Sequence, residues 1–217
     1  MEKPTKKALR SAMLLYAVTD RAWLNGRTLA ACVEEAIEGG ATFMQQREND
    51  APHEEVVAIG KELCEICRAY GIPFVVDDDI EAAIAIGADG VHVGQDDAAC
   101  ADARAALGRD AIVGVSAQTV AQALKAQAEG ADYLGVGALI PTATKPDAVD
   151  VTFEELARIC AAVDIPVVGI GGLNEKTIPC LEGSGADGAA VVSAIFAADD
   201  CEDAARRLRS VCERTFK

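Results

Sequence analysis

Short apolar runs alternate along this chain with longer stretches whose apolar positions recur at the helical period. The short runs lie at residues 13–18, 43–45, 74–76, 91–93, 112–114, 133–136, 167–169 and 189–192. Helical periodicity covers, among others, 28–38, 54–70, 119–129 and 153–162. The runs are continuously apolar rather than alternating, as expected of parallel strands covered by helices on both faces. Four of them are preceded by one signature: Gly40-Ala41-Thr42, Gly87-Ala88-Asp89, Gly130-Ala131-Asp132 and Gly185-Ala186-Asp187. Its glycine is placed to end the preceding helix in a left-handed cap. The signature falls before every second strand. Eight strand–helix units in this length predict an α/β chain folded as a single-domain (β/α)8 barrel over residues 1–217, with 1–12 as an N-terminal extension or helix. A doubly wound open sheet is the alternative, and it is disfavoured because no G-x-G-x-x-G follows the first strand.

Composition refines this picture little. At 217 residues the chain is long enough for one sizeable core, and with 51% hydrophobic but 4% aromatic residues that core is aliphatic. The net charge of −15 argues against a nucleic acid or an anionic membrane as partner, since phosphate backbones need a basic face. No run reaches membrane-spanning length and no signal-peptide pattern is evident, so a cytoplasmic location is expected. Of eight cysteines, Cys64 and Cys67 form a C-x-x-C inside a helical pattern with no second pair, which reads as structural. The sequence leaves a homo-oligomer open.

In such barrels chemistry sits at the carboxyl ends of the strands. Strand two ends in Gln45, Gln46, Arg47, Glu48 and Asn49; strand three in Asp77, Asp78 and Asp79; strand four in Gly94, Gln95, Asp96 and Asp97. Strand five ends at Ser116, and strand six runs into Pro141-Thr142-Ala143-Thr144-Lys145-Pro146. Strand seven ends in Gly169-Ile170-Gly171-Gly172 and strand eight in Val192-Ser193. Carboxylates converging on one mouth repel unless a cation lies between them, and a hard dication held by Asp and shared with substrate phosphates relieves this. The alternative makes Asp96 and Asp97 helix caps and 77–79 a solvated turn. Thr142, Thr144 and Lys145 offer two hydroxyls and an ammonium to a phosphate. Gly171, Gly172 and the Val192–Ser193 end fit a second anion site, unless the glycines merely permit close packing. His53 and His92 lack an evident Asp or Ser partner and read as structural.

These motifs resemble the thiamine phosphate synthase family over most of the chain, from Leu15-Tyr16-Ala17-Val18-Thr19-Asp20 to Ser193-Ala194-Ile195. The resemblance is carried by Gln45-Gln46-Arg47-Glu48, Val76-Asp77-Asp78, Gly90 to Asp97, Gly114-Val115-Ser116, Pro141 to Lys145 and Gly169-Ile170-Gly171-Gly172. It implies a transferase of thiamine biosynthesis that joins a hydroxymethylpyrimidine pyrophosphate to a thiazole phosphate, releasing pyrophosphate. It further implies magnesium held by Asp78 and Asp97. Gln45, Arg47, Ser116 and Lys145 would contact the pyrimidine pyrophosphate, with Arg47, Ser116 and Lys145 carrying the catalytic role. Gln46, Glu48, Asn49 and Asp77 fall in the same substrate-binding motifs. Thr142, Thr144, Gly172, Val192 and Ser193 would form the thiazole phosphate pocket. Two positions depart from the family pattern: Asn49 stands where lysine is usual, and Asp77 where asparagine is usual. A bare Asp77 carboxylate would repel pyrophosphate, so it is expected to be engaged by magnesium or turned toward Lys145. A thiazole tautomerase and a non-catalytic phosphate-ligand barrel are the competing readings.

Overall fold

The computed structural model describes residues 3–24, 26–48, 51–95, 100–140 and 150–217. The eight apolar runs form the parallel strands β1 (Leu15–Val18), β2 (Phe43–Gln46), β3 (Phe74–Asp77), β4 (Gly90–Val93), β5 (Ile112–Ala117), β6 (Tyr133–Val136), β7 (Val167–Ile170) and β8 (Gly188–Val191). Each pairs with the next, and β8 pairs with β1 to close the barrel. Around it lie α2 (Leu29–Glu38), α3 (His53–Tyr70), α4 (Ile80–Ile86), α5 (Cys100–Leu107), α6 (Val120–Ala128), α7 (Phe153–Ala162), α8 (Ser193–Phe196) and α9 (Cys201–Thr215). A short 3-10 turn, η1 (Arg21–Trp23), follows β1. The N-terminal extension holds one helix, α1 (Lys6–Ala12).

One crossover departs from the strand–helix pattern. Between β7 and β8 stands only a 3-10 turn, η2 (Ile178–Leu181), with Pro179 at its start. Glycines with positive φ at 171, 172, 183 and 185 bracket the proline, so no uninterrupted stretch is long enough for a stable α-helix.

Strand parity divides the core. Tyr16, Val18, Phe43, Val75, Ile112, Tyr133, Val168 and Ala190 point into the barrel, where Leu9 and Met13 plug the amino-terminal end. Leu15, Met44, Val76, Val91, Val93, Val113 and Leu134 point outward beneath the helices. Cys64 and Cys67 lie in this outer layer on α3, and burial pushes both thiols up, as inert core residues require.

The structure explains why the repeated signature precedes only even strands. Its last residue reaches back to a backbone N–H at the start of the preceding odd strand. Thr42 Oγ1 accepts from Leu15 N at 2.9 Å, Asp89 Oδ2 from Phe74 N at 3.0 Å, Asp132 Oδ2 from Val113 N at 2.9 Å and Asp187 Oδ2 from Val167 N at 3.0 Å. In each case the same residue's own N–H returns a bond to the carbonyl of that odd-strand residue. Four such staples join the strands in pairs at the amino-terminal rim. The chain preceding β1 is tied to two of them, through Lys3 to Asp132 and Arg10 to Asp187, each at 2.7 Å. The glycines of the signature all have positive φ, 111°, 73°, 98° and 84°, and Gly87 caps α4 in the left-handed geometry expected; no α-helix precedes Gly185, so there is none for it to cap.

Candidate active site

The carboxyl ends of the strands bring together a polar set on the inward face. On β2, Phe43 and Gln45 point inward, and Gln45 is 4% exposed. Its Nε2 donates to the Tyr16 hydroxyl at 2.9 Å. Arg47 follows, its backbone N–H held by Thr19 Oγ1 at 2.9 Å. The guanidinium Nε lies 3.7 Å from Asp77 Oδ2 at the end of β3. Arg47 is thus one ion partner of Asp77; Lys145, the protein partner expected from sequence, lies outside the described residues.

The three consecutive aspartates separate into three roles. Asp77 faces Arg47 at the mouth. Asp78 is the one described non-glycine residue with positive φ, 58°. It is stitched to β4: its N–H donates to His92 O at 2.8 Å and its Oδ1 accepts from Gly94 N at 3.1 Å. A left-handed aspartate costs about 1–3 kcal/mol and persists where neighbours over-determine it, often at functional sites. Asp79 caps α4, with Oδ1 accepting from Ala82 N at 2.7 Å, and its Oδ2 lies 2.8 Å from His53 Nδ1. That hydrogen bond raises the His53 imidazole above its ordinary range.

On β5, Ser116 faces inward and meets His92 of β4, Nε2 to Oγ 3.0 Å. His92 Nδ1 is 3.0 Å from the Tyr133 hydroxyl of β6. Both histidines therefore have the Ser or Asp partner that the sequence reading did not find. Parity was the available signal for His92, since it lies between Val91 and Val93, which face outward.

Two residues of the expected substrate set are turned elsewhere. Gln46 lies one residue past inward Gln45, so it faces outward; it is fully buried, bonds Val56 O of α3 at 3.0 Å and lies against Gly60. Glu48 is clasped by Arg21, Nε to Oε2 2.5 Å, and Arg21 also reaches Glu55 at 2.5 Å. Burial raises the Glu48 carboxyl, opposed by the Arg21 charge. Neither side chain is presented to the mouth.

At the opposite wall, Gly171 and Gly172 have φ of 95° and 65°. Added Cβ atoms there would lie 2.6 Å from Ala138 and Ile140, and Ile140 N bonds Gly171 O at 3.2 Å. Close packing is thus one function of this pair, and it brings the end of β7 against the segment entering residue 141. Val192 packs against the inner cluster. Ser193, exposed, opens α8, which carries no side-chain cap. Asn49, Asp97, Thr142, Thr144 and Lys145 lie outside the described residues. Among the described residues no cluster of three or more His, Cys, Asp or Glu is set to hold a metal, and no helix is long and apolar enough to cross a membrane.

The chain is 45% identical over 194 residues to a thiamine-phosphate synthase of Clostridium tetani, covering 89% of this chain and 93% of that one. It is 46% identical over 202 residues to one of Chloroflexus aurantiacus, covering 93% of each. Among solved structures, a thiamine phosphate pyrophosphorylase from Pyrococcus furiosus superposes with a TM-score of 0.89 at 39% identity, covering 96% of this chain and all of that one. The family described as Thiamine monophosphate synthase matches residues 15–195, from β1 into α8, and the chain belongs to that family.

Proposed function

We propose that this mouth joins a hydroxymethylpyrimidine pyrophosphate to a thiazole phosphate, giving thiamine phosphate and pyrophosphate. The observation carrying the assignment to these residues is the inward set Gln45, Arg47, Asp77 and Ser116, with Asp78 locked beside it in a left-handed conformation. It offers donors and one cation to an anionic substrate. A substitution at a benzylic-type carbon suits such a site: the carbon–oxygen bond to pyrophosphate breaks, a delocalised pyrimidine cation forms, and the thiazole nitrogen supplies the new bond. The reaction then depends on stabilising the leaving group and on placing the two rings together.

In this reading Arg47 and Lys145 bind the pyrophosphate oxygens, and Gln45 and Ser116 orient the pyrimidine portion. Thr142, Thr144 and the Gly172 and Val192–Ser193 backbone bind the thiazole phosphate. Asp77 holds Arg47 and sets its approach. Asp78 and Asp97 would hold magnesium. The fit rests on hard carboxylate oxygens and on Asp78 being anchored to the segment of β4 that leads into Asp97. Bound there, the ion would neutralise charge developing on the leaving pyrophosphate. The proposal is tested with Asp78→Ala and Asp97→Ala at limiting magnesium. Turnover should fall by orders of magnitude while circular dichroism stays native, because strand-end side chains add little to the core. Unchanged activity in either variant removes the metal assignment.

A further inference from the structure

Beneath the mouth, hydrogen bonds cross the barrel interior through five strands. Gln45 Nε2 donates to the Tyr16 hydroxyl, Tyr16 and Tyr133 hydroxyls lie 2.7 Å apart, Tyr133 meets His92 Nδ1, and His92 Nε2 meets Ser116 Oγ. Two glycines make the route passable. Gly114 lies in register between His92 and Tyr133, and a Cβ on it would fall 2.1 Å from the tyrosine ring. Gly135, in register with Ser116, faces the His92 ring, where a Cβ would approach to 3.2 Å. Bare backbone at these two positions lets the two rings lean together.

We infer that this relay fixes the direction of the Ser116 hydroxyl, making Tyr133 and His92 positioning residues for the pyrimidine pyrophosphate contact; the inference rests on the synthase reading above. The protons available set the direction of the relay. Each phenol has one to give. A buried phenol proton needs an acceptor: with Gln45 donating to Tyr16, the acceptor within reach of the Tyr16 proton is the Tyr133 hydroxyl, and Tyr133 gives its own proton to His92 Nδ1. His92 then carries its proton on Nε2 and donates it to Ser116 Oγ. The Ser116 proton is left for an acceptor outside the relay, such as a substrate oxygen or ring nitrogen. Burial keeps both phenols protonated, raising each well above its ordinary range. Run in reverse, with the Gln45 carbonyl accepting from Tyr16, the same chain would place the His92 proton on Nδ1. Ser116 would then donate to His92 and offer substrate only lone pairs.

The direction is read by nitrogen NMR of 15N-histidine-labelled full-length protein without substrate. His53 is the one other histidine, and a His53→Gln sample assigns the two signals. His92 should show the Nε2–H tautomer; the Nδ1–H tautomer or an imidazolium overturns the inference. The coupling is read by kinetics. Tyr133→Phe keeps the ring and its packing and should lower kcat/KM roughly three- to tenfold, the worth of one neutral hydrogen bond. In a Ser116→Ala background the same change should have no further effect, because Tyr133 acts through that hydroxyl. An equal loss in both backgrounds marks a merely structural tyrosine and overturns the positioning role, as does a Ser116→Ala enzyme with unchanged kcat/KM. Because the tautomer is read without substrate, a wrong direction and a wrong substrate contact fail in different measurements.

Discussion

Asp132→Ala would withdraw one carboxylate from three partners at the closed end of the barrel: Val113 N–H at 2.9 Å, Arg104 Nη2 at 2.6 Å and Lys3 Nζ at 2.7 Å. Val113 is fully buried, so its N–H loses an acceptor that water does not readily replace, costing about 1–3 kcal/mol. The two ion pairs are partly exposed and together add about 1 kcal/mol after solvent screening. Arg104 keeps the carbonyls of Gly108, Ala111 and Gly130, which limits the damage. The sum is about 2–4 kcal/mol. At about 2–4 °C per kcal/mol for a domain of this size, Tm should fall by roughly 5–15 °C. Asp132→Asn keeps a neutral acceptor for Val113 and should lose less than half as much. Calorimetry supplies Tm, and thiamine phosphate formation well below it supplies activity, which should be unchanged because the staple lies at the end opposite the mouth. An unchanged Tm would refute the staple. Lost activity in a folded variant would refute the division of labour between the two ends.

Two further outcomes concern the mouth. Lys145→Ala should lower kcat, because a cation on the leaving group acts as charge develops, whereas Thr144→Ala should raise KM for the thiazole phosphate. Steady-state kinetics with each substrate varied separates the two, and a Lys145→Ala enzyme with normal kcat contradicts the assignment. Asp77→Asn relaxes the 3.7 Å pair with Arg47 and places there the amide that the resemblance implied. Activity should stay within about tenfold, under about 1.4 kcal/mol of barrier, with a weaker apparent magnesium affinity. Abolished turnover would show that holding Arg47 is essential.

Much of the barrel was legible because buried parallel strands leave continuous apolar runs and the glycine signature recurs. The function of that signature was not legible, because its Asp or Thr bonds an N–H 15 to 27 residues earlier, a distance no local pattern encodes. Motif reading located the mouth but blurred which residues face it. Gln45 and Gln46 are chemically identical, yet one residue of strand parity sends the first inward and the second against α3. Parity would also have singled out His92, whose partners come from β5 and β6 and are brought near only by closure of the barrel. Asp79 caps α4, a role that the solvated-turn alternative for 77–79 did not give it, and the left-handed turn of Asp78 depends on bonds to β4 that its own neighbours in sequence do not supply.

Everything assigned to the mouth depends on this chain forming thiamine phosphate. Purified protein with hydroxymethylpyrimidine pyrophosphate, thiazole phosphate and magnesium, sampled over time by mass spectrometry, tests it most directly. Thiamine phosphate and pyrophosphate should accumulate one to one, with both substrates required. Conversion of the thiazole phosphate between tautomers with no thiamine phosphate formed, or binding of either substrate with no product at all, would contradict it.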